Sequence, residues 1–407
     1  MRPLRGHDAI PMKLNILYHH RTQGRGAEGV HISSIVDALR TMGHSVTVVS
    51  PPGVDPLHPS HSTPVDKSWV HTGGMQTVWK LVSRYLPNFL FEIAEILYNI
   101  PAYRRLNAVL ASQKFDVIYE RYAFYLVAGA VLARKHGIPF VLEANEVSGI
   151  VNRARKQSYP TLCSRFESFL FARCAGIHTV SSHLKNMILK QRVPQERVHI
   201  VPNAFDVAKV EGIGKSDELL KKFNIRGRLV MGFAGWFDRW DRLDFFVEVF
   251  RELRKTHTNI VLVLIGDGPV VSEARRLVDA YGLAGDVVFT GAVPRIDIYH
   301  HLSLIDIAVL PHSNDFGSPV VMFEFMGLRK PVVAPRLAPI EDIHQDGDTA
   351  LLFNPLDAGQ CRGAIERLIA SPELRVQLAE RAYRKLTTRH TWRRNAELIL
   401  HSAGISP

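Results

Sequence analysis

Apolar residues recur along this chain in two alternating rhythms. In the first half, LNILY at 14–18, SVTVV at 45–49, DVIYE at 116–120, FVLEA at 140–144 and GIHTV at 176–180 read as strands. LVMGF at 229–233, IVLVLI at 260–265, VVFT at 287–290, IAVL at 307–310 and PVVA at 331–334 read the same way in the second half. Between such runs, apolar positions fall at three- and four-residue spacing. Ile32, Ile35, Val36 and Leu39 form one such helical stripe, and Leu243, Phe246, Val247, Phe250 and Leu253 another. Apolar strands alternating with amphipathic helices predict parallel sheets covered on both faces. Two such sets, in 407 residues that are 46% hydrophobic, predict an α/β protein with two Rossmann-like domains. In sheets of this kind ligands lie outside the carboxyl ends of the strands. The loops after 18, 120, 144, 235, 266 and 310 are therefore expected to line a cleft between the domains.

The boundaries follow from the same pattern. The first strand pattern begins only at Lys13, so residues 1–11 read as a polar extension and Met12 as an alternative start. The first domain is expected over 12–205, a hinge near Asn203 to Asp206, and the second domain over 206–387. A last helical segment, Trp392 to Leu400 within 388–407, is expected to cross back onto the first domain.

The segment IDIAVLPHSNDFGSPVVMFEFMGLRKPVVAP, from Ile305 to Pro335, carries the most chemistry. Two buried strands flank a short apolar helix in which Ser318 is the expected N-cap and Pro319 the first helical residue. The helix then starts abruptly after Gly317, leaving the amides of Val320 and Val321 as free donors. Small residues ahead of them let a phosphate meet the positive end of the helix dipole. Glu324 is the only charged side chain between Asp315 and Arg329. Burying an unpartnered carboxylate among Val320, Met322, Phe323, Phe325 and Met326 is costly, and the paired hydroxyls of a ribose are a fitting partner. The competing reading is a surface acid on a half-exposed helix.

Gly24-Arg25-Gly26-Ala27-Glu28-Gly29 matches G-x-G-x-x-G between a strand and a helix. Two details argue against a dinucleotide fingerprint. The first glycine comes several residues after the strand, and the second strand ends in Val49-Ser50-Pro51-Pro52 without an acid for an adenosine ribose. What remains is a glycine loop ahead of a helix N-terminus, suited to closing over a diphosphate or sugar from across a cleft; a plain flexible loop is the alternative.

Charge is unevenly distributed. Residues 1–205 hold 24 Lys and Arg against 13 Asp and Glu, a net of +11, whereas residues 206–407 hold 26 of each sign. The whole excess lies in the first half, which points to an anionic membrane surface, a phosphorylated acceptor or nucleic acid. The run from Trp79 to Tyr85, followed by Phe89, Phe91, Tyr98, Tyr103, Arg104 and Arg105, interleaves aromatic and basic residues as interfacial helices do. Membrane therefore ranks above nucleic acid, for which zinc-finger, KH and RNP signatures are all missing. The most apolar stretch, Tyr85 to Tyr103, is broken by Pro87, Asn88, Glu92, Glu95, Asn99 and Pro101 and falls short of the ~20 apolar residues of a spanning helix. No signal-peptide apolar region opens the chain. Cys163, Cys174 and Cys361 are odd in number and lack C-x-x-C spacing, so neither a structural disulfide nor a zinc site is expected, in keeping with a reducing cytosol.

Taken in order, several segments resemble the retaining glycosyltransferases of family four, with the GT-B fold. They are QGRGAEGVHI at 23–32, GHSVTVV at 43–49, VPNAFD at 201–206, GFAGWFDRWDRLD at 232–244, LIGDGP at 264–269, FTGAVP at 289–294, GSPVVMFEFM at 317–326 and TWRRNAELIL at 391–400. The resemblance covers nearly the whole chain. It implies a nucleotide-sugar donor held by the second domain, an acceptor held by the first, no required metal and no cofactor beyond the donor. By position, Glu324 resembles the ribose-binding acid, and Gly317, Ser318, Val320 and Val321 the phosphate-contacting helix start. Val293 and Pro294 occupy the loop that meets the nucleobase, and Gly26 with Gly29 the loop that covers the diphosphate.

Three departures from the pattern matter. The family's Arg and Lys after the strand ending at Gly235 correspond to Trp236 and Asp241, so Arg239 and Arg242 are the expected substitutes, stabilising the diphosphate leaving group. Asp241 is expected as a helix N-cap, with Asp244 in the first turn. The acid that contacts the donor sugar is replaced by Phe316, and a His by Arg121, which cannot shuttle a proton near neutral pH. Arg121, Asn145 and His31 are assigned to the acceptor, and Glu143 to positioning or deprotonating its hydroxyl.

The sequence thus implies a glycosyltransferase that retains configuration, peripheral to the inner face of a membrane, acting on a lipid-linked or glycan acceptor in polysaccharide assembly. A sugar-nucleotide 2-epimerase of the same fold and a non-catalytic donor-binding scaffold are the two alternatives.

Overall fold

The computed structural model describes residues 13–23, 26–57, 88–150 and 157–405. The extension 1–11, Gly24 and Arg25 of the glycine run, and the expected interfacial stretch from Trp79 to Tyr85 lie outside them. In the first half the strands are β1 (Asn15–His19), β2 (Ser45–Val49), β3 (Val117–Arg121), β4 (Phe140–Ala144), β5 (Gly176–Thr179) and β6 (Val198–Ile200). They are joined by helices α1 (Gly26–Thr41), α2 (Asn88–Leu97), α3 (Asn99–Ser112), α4 (Ala128–His136), α5 (Pro160–Phe171) and α6 (Ser182–Leu189). In the second half come β7 (Leu229–Trp236), β8 (Ile260–Asp267), β9 (Val287–Gly291), β10 (Ile307–Val309), β11 (Val332–Pro335) and β12 (Leu351–Phe353). Its helices are α7 (Asp217–Lys222), α8 (Leu243–Arg254), α9 (Val271–Ala280), α10 (Ile298–Ser303), α11 (Val320–Gly327), α12 (Ala338–Glu341), α13 (Ala358–Ala370), α14 (Pro372–Arg389) and α15 (Trp392–Ser402).

Both sheets are wholly parallel and six-stranded, ordered β2-β1-β3-β4-β5-β6 and β12-β11-β10-β7-β8-β9. Every residue of β3, β4 and β5 is buried, as expected of strands covered on both faces. All ten strands read from the sequence are present. The two that were not read, β6 and β12, are three-residue edge strands, too short to show a period. α8 buries the expected stripe of Leu243, Phe246, Val247, Phe250 and Leu253.

The glycines of LIGDGP serve chain packing. Gly266 has φ +139°, and a Cβ there would lie 1.9 Å from the carbonyl oxygen of Gly235. A register shift between β8 and β9 occurs at the same point.

In each sheet the strand order reverses once: between β1 and β3 in the first, between β7 and β10 in the second. Ligands of open α/β sheets bind outside the strand carboxyl ends at such reversals. His19 and Arg121 end the first pair of strands, and the loops beginning at Phe237 and Leu310 follow the second.

The last helix, α15, sets Ala396, Ile399 and Leu400 against Leu14, Ile16 and Ile32 of the first domain. A hydrogen bond of 2.8 Å joins His178 Nε2 and Ser402 Oγ, and Gly176 is required where Ser402 presses on β5. Where the hinge is expected, Asn395 donates to the Pro202 carbonyl at 3.0 Å, and the Phe205 N–H to the His390 carbonyl at 3.1 Å.

Candidate active site

On the second domain, α11 begins at Val320 after Pro319, whose backbone is extended. Ser318 is not the cap expected of it. Its hydroxyl accepts from the Asn203 N–H at 3.2 Å and its carbonyl from the Asn203 side chain at 2.7 Å, which fastens the helix start to the segment between the two sheets. Gly317 fits beneath Asn314, whose Oδ1 accepts from the N–H groups of Phe316 and Gly317. A side chain at 317 would crowd that oxygen, at 2.9 Å from its Cβ. Val320 and Val321 lie in the first turn, where N–H groups have no intrahelical acceptor.

Glu324 is buried, which excludes the half-exposed surface acid. It is also not unpartnered, as the sequence suggested: Arg295 Nη1 donates to its Oε1 at 2.9 Å, and Arg295 Nη2 to the Tyr299 hydroxyl at 2.9 Å. Arg295 was missed, although it directly follows the Val293-Pro294 loop and stands one helical turn before Tyr299. Val293 is half-buried and packs on the second core.

Past β7, Arg239–Asp241 form a short 3-10 turn capped by Asp238, with Asp241 Oδ2 accepting from the Asp238 N–H at 2.8 Å. Asp241 therefore closes this turn and does not cap α8, whose N-cap position is taken by Arg242 at φ +49°. Burial pushes the Asp241 carboxyl up to about 7. Arg242 is held by Asp244 through Nε at 2.9 Å and Nη2 at 2.8 Å. Arg239 is exposed, with no ion-pair partner among the described residues. A hydrogen bond of 3.0 Å between His312 and the Trp240 carbonyl ties this loop to the one after β10, across the strand-order reversal.

On the first domain, Arg121, Glu143, Asn145 and His31 come together at the carboxyl ends of β3 and β4. Arg121 and Asn145 donate to Glu143 Oε1, and His31 Nδ1 lies 3.3 Å from it. Tyr18 and Tyr119, which sequence reasoning missed, both donate to Oε2 at 3.1 Å. Burial pushes the Glu143 carboxyl up, but Arg121, His31, Asn145 and Tyr18 outweigh it and hold it down at about 2. A carboxylate so tightly held is a poor proton acceptor near neutral pH, so the expected help in deprotonating an acceptor does not fit Glu143. Its geometry suits orienting Arg121 and Asn145. Among the described residues the Asn145 Oδ1 and His178 Nδ1 atoms are buried without a hydrogen-bond partner, beside a small cavity that also meets Ile35, Val180 and Ile399. His31 also meets the Trp392 ring edge-on at 4.9 Å.

The glycine run differs from the loop expected. Gly26, with φ +59°, already opens α1, and Gly29 is buried within its first turn. Phe316 bridges the two sides: its ring packs on the first-domain core and its carbonyl accepts from Ser181 Oγ at 2.6 Å. Among the described residues no group of three metal-ligating side chains is found, and no helix is long and apolar enough to cross a membrane.

Comparison with known proteins bears on both halves. Residues 28–209 match the model of Glycosyltransferase Family 4, and residues 215–385 that of Glycosyl transferases group 1. The alpha-D-kanosaminyltransferase of Streptomyces kanamyceticus is 27% identical over 267 residues, 62% of this chain and 67% of that protein. The lipopolysaccharide 1,2-N-acetylglucosaminetransferase of Salmonella typhimurium is 26% identical over 227 residues, 54% of this chain and 59% of that protein. The aligned stretch thus spans about three fifths to two thirds of these relatives. Among solved structures, Anabaena HepE in complex with UDP-glucose superimposes with a TM-score of 0.66 at 16% identity, covering 96% of this chain and 99% of that one. A glycosyltransferase from Rickettsia africae gives 0.71 at 14% identity, covering 96% and 98%. These structures share the two-domain fold end to end, and the two family models meet between residues 209 and 215. The chain is a glycosyltransferase with the GT-B fold.

Proposed function

We propose that this enzyme moves a sugar from a nucleoside-diphosphate donor on the second domain to an acceptor hydroxyl on the first, with retention of anomeric configuration. The observation that carries the reading is buried Glu324 in α11, one turn beyond a helix start at the strand-order reversal. In this reading Glu324 accepts from the ribose, and Gly317, Ser318, Val320 and Val321 meet the diphosphate. Val293 borders the base, while Gly26 and Gly29 approach from the opposite domain. Arg239, exposed, and Arg242, held by Asp244, stabilise the charge that builds on the departing diphosphate. That diphosphate takes the acceptor proton on the face it leaves, so no strong protein base is needed; a Glu143 carboxyl held at about 2 accords with this. The reading calls on no metal and no cofactor besides the donor.

Arg121, Asn145 and His31 border the acceptor. We take the acceptor to be lipid-linked or a glycan, in cell-surface polysaccharide synthesis at the inner face of a membrane. The net charge of +11 on residues 1–205 supports this, as does the lipopolysaccharide substrate named for the Salmonella relative. The epimerase and scaffold alternatives are not favoured, since the matched relatives are named as transferases.

A thermal-shift series with UDP-, GDP- and ADP-sugars tests the donor site, because a ligand at a hundred times its Kd adds about 2.7 kcal/mol. One nucleotide family should raise Tm, and Glu324→Ala should abolish the rise. No shift with any nucleotide would overturn the reading. Proton NMR of the product's anomeric centre tests retention.

A further inference from the structure

Helix α2 is turned inside out. Its two acids face the protein: Glu92 is buried, accepting from the Tyr125 hydroxyl and from the Ser158 and Tyr159 N–H groups, and Glu95 pairs with Arg21 at 2.9 Å. Ile96 packs on the core, but four of the helix's large apolar side chains face out. Phe89, Leu90, Ile93 and Leu97 are 42%, 38%, 41% and 56% exposed, and Ile100, at the start of α3, is 52% exposed.

The helical hydrogen bonding runs on through Tyr98, whose N–H donates to Ala94 and whose carbonyl accepts from Ala102, so one register covers all five residues. At about 100° per residue they fall within a single arc of roughly 100°. A helix on a water-facing surface would show the reverse polarity, with acids outside and apolar groups against the core. Between Asn88 and Ser112 the only charges besides those two acids are Arg104 and Arg105, and Arg104 is exposed. Next to α2, Tyr159 just ahead of helix α5 and Leu162 and Phe169 within it are exposed, as is Arg165. The outward surface is therefore apolar and cationic, with its carboxylates withdrawn.

We infer that the exposed face of α2, flanked by Arg104 and Arg165, docks on an anionic lipid bilayer. It rests on the proposed lipid-side acceptor for its purpose. The stripe enters the boundary between headgroups and acyl chains, and the guanidiniums meet lipid phosphates. A second copy of the chain fits less well, because an α2-to-α2 contact would bring the same arginines against one another with no acid to pair them.

The test is flotation of the full chain with vesicles of equal parts phosphatidylglycerol and phosphatidylethanolamine, and with pure phosphatidylcholine vesicles. The wild type should co-float with the first and much less with the second. Phe89→Ser/Ile93→Ser/Leu97→Ser should lose about tenfold or more of the binding. Arg104→Glu should weaken it most at low salt. Equal flotation of the triple variant overturns the inference. So does a wild type that ignores both vesicles and elutes as a dimer that the triple variant dissolves. The thermal shift with nucleotide sugars is run on the same proteins. A shift retained in the triple variant shows that it is folded with its donor site intact. If no protein shows a shift, the donor reading fails, while the flotation comparison still decides the surface.

Discussion

The guanidinium of Arg295 lies 2.9 Å from Oε1 of Glu324, so the loop after β9 is joined to helix α11. Glu324 is buried while Arg295 is about half exposed, so the carboxylate is anchored from the solvent side. Only one of its oxygens is engaged by this contact, which leaves Oε2 for a donor ribose in the proposed reading.

Replacing Glu324 by Gln keeps the shape and removes the charge. Hydrogen bonds to a charged group contribute about 1.5–3 kcal/mol, so the nucleotide-sugar Kd should rise by roughly tenfold to a hundredfold. Isothermal titration measures it directly. An unchanged Kd would remove Glu324 from the donor site.

Arg121 and Glu143 form a buried ion pair at the ends of β3 and β4. Removing one member of such a pair strands the other, at a cost of about 3–5 kcal/mol. Arg121→Ala should therefore lower the stability measured in urea by that order. Replacing both residues with apolar side chains should restore much of it. A single variant as stable as the wild type would mean that water reaches the carboxylate.

Much of the architecture was legible because the strands at the centre of each sheet are apolar on both faces, a pattern that needs no partner to recognise. The edge strands β6 and β12 were not, since three residues carry no period. Glu324, the α11 start, Arg121 and Asn145 were legible as single residues at strand and helix ends. The ties among them were not, because Arg295, Tyr18 and Tyr119 reach their partners only through tertiary packing; Tyr18 and Glu143 are 125 residues apart. Ser318 illustrates the converse. Local rules make it a helix cap, but the Asn203 N–H, 115 residues away in sequence, takes its hydroxyl instead.

Two buried histidines add to the acid sensitivity of the fold. Burial pushes His178 and His344 down to about 3 from the usual 6.5. Below 6.5 the unfolded chain binds protons that the folded chain refuses, so their contribution is complete above pH 6.5 and is lost as the pH falls toward 3. Each accounts for a slope of about 1.4 kcal/mol per pH unit within that window. Urea midpoints measured from pH 7.5 to 4.5 should fall steadily. His344→Gln should flatten the fall by about one proton, and an unchanged slope would show that His344 is protonated within the fold.

The last prediction concerns a contact across the cleft. Asp342 belongs to the second domain, yet its Oδ2 accepts from the Ser182 N–H at 2.6 Å, at the N-terminus of first-domain helix α6. It acts as a helix cap supplied from the opposite side, where the positive end of the dipole favours a carboxylate. Beside it, Ser181 caps the same helix through the Leu184 N–H and holds the Phe316 carbonyl. Ser181→Ala would disturb both the helix and the contact, whereas Asp342→Ala removes only the contribution from the second domain. A cap contributes about 1 kcal/mol, so its loss should shift the balance between closed and open arrangements roughly fivefold toward open. Small-angle scattering should then show a larger radius of gyration for Asp342→Ala, reversed by a saturating nucleotide sugar that bridges both domains. Identical scattering from the two proteins would mean that the Asp342 contact does not hold the cleft.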